Sequence, residues 1–165
     1  MKKVYLVRHG KSSWLSETEV EDIDRPLKPK GVLQVVATGK KLRKKDIYPD
    51  LIVSSPAMRS LHTALILARE LDYPLDRIRI RPELYGSDVS GIQQVLKHAK
   101  EDFESVMIFG HDPSLTNFAN RCTKKSKEKI PTASVVGIEL KCDAWADVID
   151  AKGKQLFFIK PQLDK

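Results

Sequence analysis

The chain reads as a single α/β domain of three layers, with a mostly parallel central sheet and helices on both faces. Two runs carry that expectation: Val4 to Val7 (VYLV) and Ser105 to Phe109 (SVMIF) show no polar alternation, as strands covered on both faces require. Around them, short apolar runs alternate with segments of helical periodicity, the pattern of strand-helix-strand units. Both runs stop abruptly on polar residues, RHG after the first and GHDPS after the second. In open α/β sheets ligands sit outside the carboxyl ends of such strands, so Arg8, His9 and His111 are expected to face one.

Taken in order, the first strand gives way at Gly10, where the missing Cβ permits close approach. Lys11 to Asp24 is mixed and polar, with isolated Trp14 and Leu15 followed by Glu17, Glu19, Glu21 and Asp22, and reads as a loop. DRPLKPKG then sets prolines ahead of a stretch in which Val32, Val35, Val36, Gly39 and Leu42 share a helical face, with lysines at the end that suits the dipole. Pro49 and Asp50 precede a short strand, Leu51 to Val53. In SSPAMRS, Ser55 is placed to cap a helix over Ala57 to Leu71, which sets Arg59 in its first turn at the same sheet edge as His9. Ile78 to Ile80, alternating with arginines, reads as an edge strand, Pro82 to Gly86 as a loop, and Val89 to Ala99 as a helix. Ser114 is placed to cap a helix running to about Arg121. Beyond the basic linker Lys124 to Lys129, three strands are expected, Ala133 to Leu140, Ala146 to Ile149 and Gln155 to Ile159, closing the sheet in antiparallel fashion.

Composition narrows the class. A chain of 165 residues holds one domain with a substantial core, here 1–165, and 41% hydrophobic with 31% charged residues is globular. No apolar run approaches a membrane span or a signal-peptide core, so a cytoplasmic location is expected. Cys122 and Cys142 lack metal-ligand spacing and are expected to be reduced. Neither precedes an arginine-bearing phosphate loop, which argues against cysteine phosphatase chemistry. A net charge of +7 suits an anionic partner, but the lysine runs carry no interleaved aromatic residues to stack bases, which disfavours nucleic acid.

What converges is a set of two histidines and three arginines: Arg8, His9, Arg25, Arg59 and His111. Guanidinium forks grip the oxygens of a phosphoryl group. A neutral imidazole oriented through its other nitrogen can attack phosphorus. The sequence offers neither a P-loop nor paired carboxylate clusters for magnesium, so no metal or cofactor is called for.

Four motifs in order, RHGKS, DIDRPL, SSPAMRS and GHDPSL, resemble the histidine phosphatase superfamily, or phosphoglycerate mutase-like family, over Lys2 to about Asn120. The nearer resemblance is to bacterial phosphohistidine phosphatases of the SixA type, with their RHAKS-like start, D-x-x-RPL segment and GHNP-like motif. The resemblance implies that His9 is the phosphorylated nucleophile and that Arg8, Arg59 and His111 bind phosphoryl oxygens. Arg25 is then a further ligand from the RPL segment. Glu83, in PELYG, resembles the acid-bearing loop of the wider superfamily, with Asp88 as the fallback acid and a solvated carboxylate paired with Arg81 or Lys97 as the structural alternative. Lys28 stands where the family often has threonine. Asp112 replaces a common asparagine, adding negative charge beside the pocket. His62 and His98 are expected to be structural and superficial.

The chain has no long lid insertion of the kind that mutases and sugar phosphatases carry. An open pocket able to receive a phosphorylated side chain of another protein is therefore expected. The leading reading is a metal-independent phosphatase acting through a phosphohistidine intermediate on phosphohistidine in proteins. The alternatives are a small-molecule phosphomonoesterase and a non-catalytic module that binds phosphate or nucleic acid.

Overall fold

A computed structural model describes residues 1–13, 20–125 and 127–161. The first apolar run forms β1 (Lys2–Arg8), followed by α1 (Pro29–Lys44), β2 (Leu51–Ser54) and α2 (Met58–Glu70). Next come β3 (Arg79–Ile80), α3 (Val89–Lys97), β4 (Ser105–Gly110) and α4 (Ser114–Cys122), and the chain closes with β5 (Val135–Leu140) and β6 (Gly153–Ile159). One sheet runs in the order β3-β2-β4-β1-β5-β6. Its first four strands are mutually parallel, and β5 and β6 join antiparallel.

Strand alternation assigns each side chain to a layer. Val4, Leu6, Val106 and Ile108 point to a core shared with α3 and α4, whereas Tyr5, Val7, Met107 and Phe109 point to one shared with α1 and α2. Both faces are covered, which is why these runs show no polar alternation. The α/β class expected from the sequence is the one found.

Local readings need correction at four points. Ala146 to Ile149 is not a strand: Trp145–Asp150 forms a 3-10 helix, since Trp145 and Val148, three residues apart, are both buried. Ser114 does not cap α4 but begins it, its hydroxyl donating to the Ser87 carbonyl at 2.6 Å. Asp112 takes the capping place, accepting from the Thr116 amide at 3.2 Å. Ser55 accepts from the Ala57 amide at 3.2 Å, yet its hydroxyl also engages His111. Within the stretch read as a loop, Asp22–Asp24 is a 3-10 turn, and Trp14, Leu15, Glu17 and Glu19 lie outside the described residues.

Trp145 anchors the antiparallel end. It is fully buried, its indole N–H donates to the Phe103 carbonyl at 2.7 Å, and the buried Lys2 ammonium lies 5.4 Å from its ring centre. Trp145→Ala is expected to cost about 3–5 kcal/mol through cavity formation. Urea unfolding would register this as a lower midpoint at unchanged slope.

Candidate functional site

The carboxyl ends of β1, β2 and β4 stand side by side because these strands are parallel neighbours, with Arg8 opposite Gly110 and Ser54 opposite Phe109. That register carries His9, Ser55 and His111 just past three adjacent strand ends. The rings of His9 and His111 approach to 5.3 Å between centres, tilted by 55°. Together with Arg8, Arg25 and Arg59 they line one cavity of about 470 Å³, whose wall also includes Asp112, Lys11 and Lys28.

Gly10 permits close approach, as its missing Cβ implies. It is α1, not a ligand, that approaches it: a Cβ on Gly10 would meet Val35 Cγ2 at 2.8 Å and the Gly31 carbonyl oxygen at 2.9 Å. A Cβ on Gly31 would in turn collide with the Lys11 carbonyl. The two glycines let α1 press on the loop that carries His9. The Gly10 amide is fixed from α2 by Thr63 Oγ1 at 3.1 Å, and that hydroxyl donates to the Arg59 carbonyl at 2.7 Å.

His9 is buried, and its Nδ1 meets the Gly10 carbonyl at 2.7 Å. A carbonyl can only accept, so Nδ1 carries the proton and Nε2 keeps its lone pair. Burial pushes the His9 pKa down to about 4 against the opposing pull of the Gly10 carbonyl, and the Arg59, Arg8 and Arg25 guanidiniums push the same way as burial. His111 falls to about 3, through burial first and then through His9 and Arg59. Both rings are therefore neutral at neutral pH. Below pH 6.5 the unfolded chain takes up protons that the folded site refuses, so stability drops as pH falls from about 6.5 towards 4. For His9 alone, the loss between pH 7 and pH 4.5 is expected to be about 2–3 kcal/mol. Comparing urea midpoints of wild type and His9→Gln at the two pH values isolates it, since the variant lacks that component.

The three guanidiniums are held differently. Arg59, buried in the first turn of α2, donates through Nη1 to the Asp22 carbonyl at 2.7 Å and through Nη2 to Asp22 Oδ2 at 3.2 Å. Arg25 gives its Nε to Asp22 Oδ1 at 2.9 Å and Nη1 to Ser12 Oγ at 3.0 Å. Arg8 donates through Nη1 to the Ile130 carbonyl at 2.9 Å, with Asp112 Oδ2 at 3.9 Å. Arg8 Nε, Arg59 Nε and His111 Nδ1 are buried with no hydrogen-bond partner, three polar atoms within the lining of one cavity. A buried polar atom without a partner is rare, and three together mark a site shaped for an acceptor-rich group.

Asp22 is the organising residue that sequence reasoning missed, having been counted only among the loop's acids. Besides both arginines it accepts from the Tyr85 hydroxyl at 2.6 Å, and Tyr85 packs edge-on to His111 at 5.7 Å. The Tyr85 bond first, then Arg59 and Arg25, hold its carboxyl down to about 2. The signal was present in DIDRPL, where Asp22 stands three residues before Arg25 and forms an ion pair with it.

Glu83 is not brought to this cavity. It is exposed and lines a separate hollow with Arg79, Arg81 and His98, and among the described residues it makes no ion pair, neither with Arg81 nor with Lys97. Asp88 is also exposed and caps α3, accepting from the Ser90 amide at 2.9 Å. Asp112 accepts from Thr116 Oγ1 and the Ile130 amide, and among the described residues it bonds neither histidine. Lys28 precedes α1 without a side-chain cap, as its departure from threonine suggests, yet it joins the cavity wall. His62 lies half-buried outside that wall and His98 is exposed.

An open, mostly parallel sheet whose strand ends hold two facing imidazoles among guanidiniums is the arrangement of an anion-binding α/β protein. The chain belongs to the histidine phosphatase superfamily (branch 1), whose family model matches residues 4–105. Its sequence is similar to phosphoglycerate mutase 1 of Saccharomyces cerevisiae, 31% identical over 117 residues that cover 68% of this chain and 44% of the mutase. An uncharacterised protein of Mycobacterium tuberculosis is 24% identical over 86% of this chain and 91% of its own length. The chain thus spans less than half the length of the yeast mutase it matches. In fold it is similar to the putative phosphohistidine phosphatase SixA from Nakamurella multipartitia, with a TM-score of 0.81 and 23% identity over 97% of this chain and 96% of that one. It is equally similar to a protein histidine phosphatase SixA complexed with tungstate, with a TM-score of 0.81 and 19% identity over 96% and 97%.

Proposed function

We propose that the chain is a phosphatase that removes phosphate from phosphohistidine in proteins through a phosphohistidine intermediate on His9. The observation that carries the reading is the His9 ring itself: neutral, oriented by the Gly10 carbonyl, and ringed by Arg8, Arg25 and Arg59. In the first step His9 Nε2 attacks phosphorus, a P–N bond to His9 forms, the P–N bond to the substrate imidazole breaks, and that nitrogen takes a proton from solvent water. In the second step water attacks phosphorus, the His9 bond breaks, and phosphate leaves with the ring restored. Arg8, Arg59 and His111 hold the phosphoryl oxygens, and their unpartnered atoms Arg8 Nε, Arg59 Nε and His111 Nδ1 suit that duty. With the Ser55 hydroxyl donating to His111 Nε2 at 2.9 Å, the ring's proton rests on Nδ1 as a donor.

The carboxylates near the cavity favour one substrate class: among the described residues only Asp112 stands in its wall, and it is engaged by Thr116, the Ile130 amide and Arg8 rather than free to protonate a leaving group. A sugar phosphate expels an alkoxide and demands strong protonation, whereas an imidazole leaving from phosphorus needs little. Asp22 is ion-paired and held ionised, and Glu83 lines a different hollow. Glu83→Gln is accordingly expected to change turnover of a phosphohistidine peptide by less than about threefold, where loss of a general acid would cost about 100-fold or more. The deciding experiment incubates the protein with a labelled phosphodonor and quenches in base. Acid-labile, base-stable phosphate on His9 is expected, and its absence would overturn the reading. A panel setting a phosphohistidine protein against sugar and nucleotide phosphates separates protein dephosphorylation from small-ester hydrolysis.

A further inference from the structure

Another hollow lies at the end of β1 remote from His9, where Lys2 pairs with Leu140. There the carboxyl end of α4, the end of β5 and the start of β6 enclose about 680 Å³. Six cations line it, Arg121, Lys124, Lys125, Lys141, Lys152 and Lys154, and among the described residues no carboxylate does, Glu139 standing opposite Lys154 on the neighbouring strand. None of the six forms an ion pair among the described residues, although acidic and basic residues are 22 to 29 across the chain. Uncompensated like charges crowded together repel one another, and an anion seated among them would relieve that repulsion.

The wall is braced. Asn120 grips the backbone of Lys127 from both ends of its amide, at 2.8 and 2.9 Å, which pins the basic segment to α4. The Lys152 ammonium donates to the Arg121 carbonyl at 2.8 Å, tying the start of β6 to the helix end, and the Lys141 amide donates to the Lys152 carbonyl at 2.8 Å. The cations therefore converge from three elements on a framed space.

Charge density decides what fits. A hollow of 680 Å³ is about 11 Å across, so an extended polypeptide crossing it places only about three residues there, of which alternate side chains face the same way. That supplies one or two carboxylates against six cations. Three linked phosphates span a similar distance and carry about four to five charges. The lining contains no aromatic side chain to stack a base. We propose that this groove is a second anion site that binds a compact chain of linked phosphates, recognised by charge and without reading any attached base.

The probe is inorganic tripolyphosphate, titrated calorimetrically into the full chain at low salt. Because the His9 cavity is also cationic, two variants apportion the binding. Lys141→Glu with Lys154→Glu, both at exposed strand ends, is expected to weaken tripolyphosphate binding at the groove by at least about tenfold while leaving turnover at His9 unchanged. Arg59→Ala is expected to retain groove binding. In the wild type, tripolyphosphate should shift the backbone amide resonances of residues 121–125 and of Gly153, a readout that does not depend on any variant folding. Undiminished binding by the groove variant, or no shift at those amides, would overturn the site. An oligonucleotide or an Asp/Glu peptide binding as tightly as tripolyphosphate would overturn the choice of linked phosphates.

Discussion

His9→Asn is expected to abolish turnover, lowering kcat by about 10⁴-fold or more, and to leave no acid-labile phosphoenzyme. His9 acts through its position as well as its chemistry. His9 Nε2 is the unprotonated ring nitrogen because Nδ1 is committed to the Gly10 carbonyl at 2.7 Å, and that commitment rests on Gly10 being held by Thr63 and pressed by α1. Asparagine keeps hydrogen-bonding capacity and much of the volume but has no nucleophilic nitrogen, so the arginine cradle should survive and still bind an oxyanion. The measurement is paired: single-turnover kinetics on a phosphohistidine protein, and tungstate affinity by calorimetry. Loss of kinetics with affinity kept within a few fold is the expected result. Residual turnover above about one per cent would mean that phosphorus is attacked by water and that His9 only binds.

Arg59→Ala is expected to reduce kcat/KM by about 10²–10³-fold, the cost of one preorganised donor to a developing oxyanion. Arg59 sits in the first turn of α2, buried, with its two Nη groups fastened to Asp22 and its Nε without a partner. The end-on fork thus fixes the guanidinium and leaves its Nε without a partner. Arg59→Lys should rescue little, because an ammonium cannot hold Asp22 and a phosphoryl oxygen with the same fixed geometry. Removal also leaves the Asp22 carboxylate with Arg25 and Tyr85 alone, so its pKa should rise from about 2 towards the ordinary carboxylate range. A loss of less than about tenfold would show that Arg59 is structural.

Periodicity and punctuation made the strand ends legible. Apolar runs without alternation could only be strands covered on both faces, and each stopped at the residues that face the cavity: Arg8 at the end of β1 with His9 just after it, and His111 just after β4. Arg59 was legible for a related reason, since the start of a helix that follows a parallel strand lies at the same sheet edge. The 3-10 helix at Trp145–Asp150 was not, because four residues of mixed polarity fit a strand and a helical turn alike until the burial of Trp145 and Val148 separates them.

The sequence by itself determined the layered α/β class and the strand ends that carry Arg8, His9 and His111, because these follow from local runs and from residue types. Only the tertiary structure decided which carboxylate belongs to the site. Apart from its place three residues before Arg25, Asp22 reads locally like Glu83: each is an acid in a short 3-10 segment outside the long helices. Their roles part because α2 and the loop that carries Tyr85 close on Asp22, bonding it at 2.7 and 2.6 Å, while Glu83 turns to a hollow beside the edge strand. Contacts between residues 37 and 63 positions apart made that choice, and their partners are fixed by packing that no single stretch of chain contains.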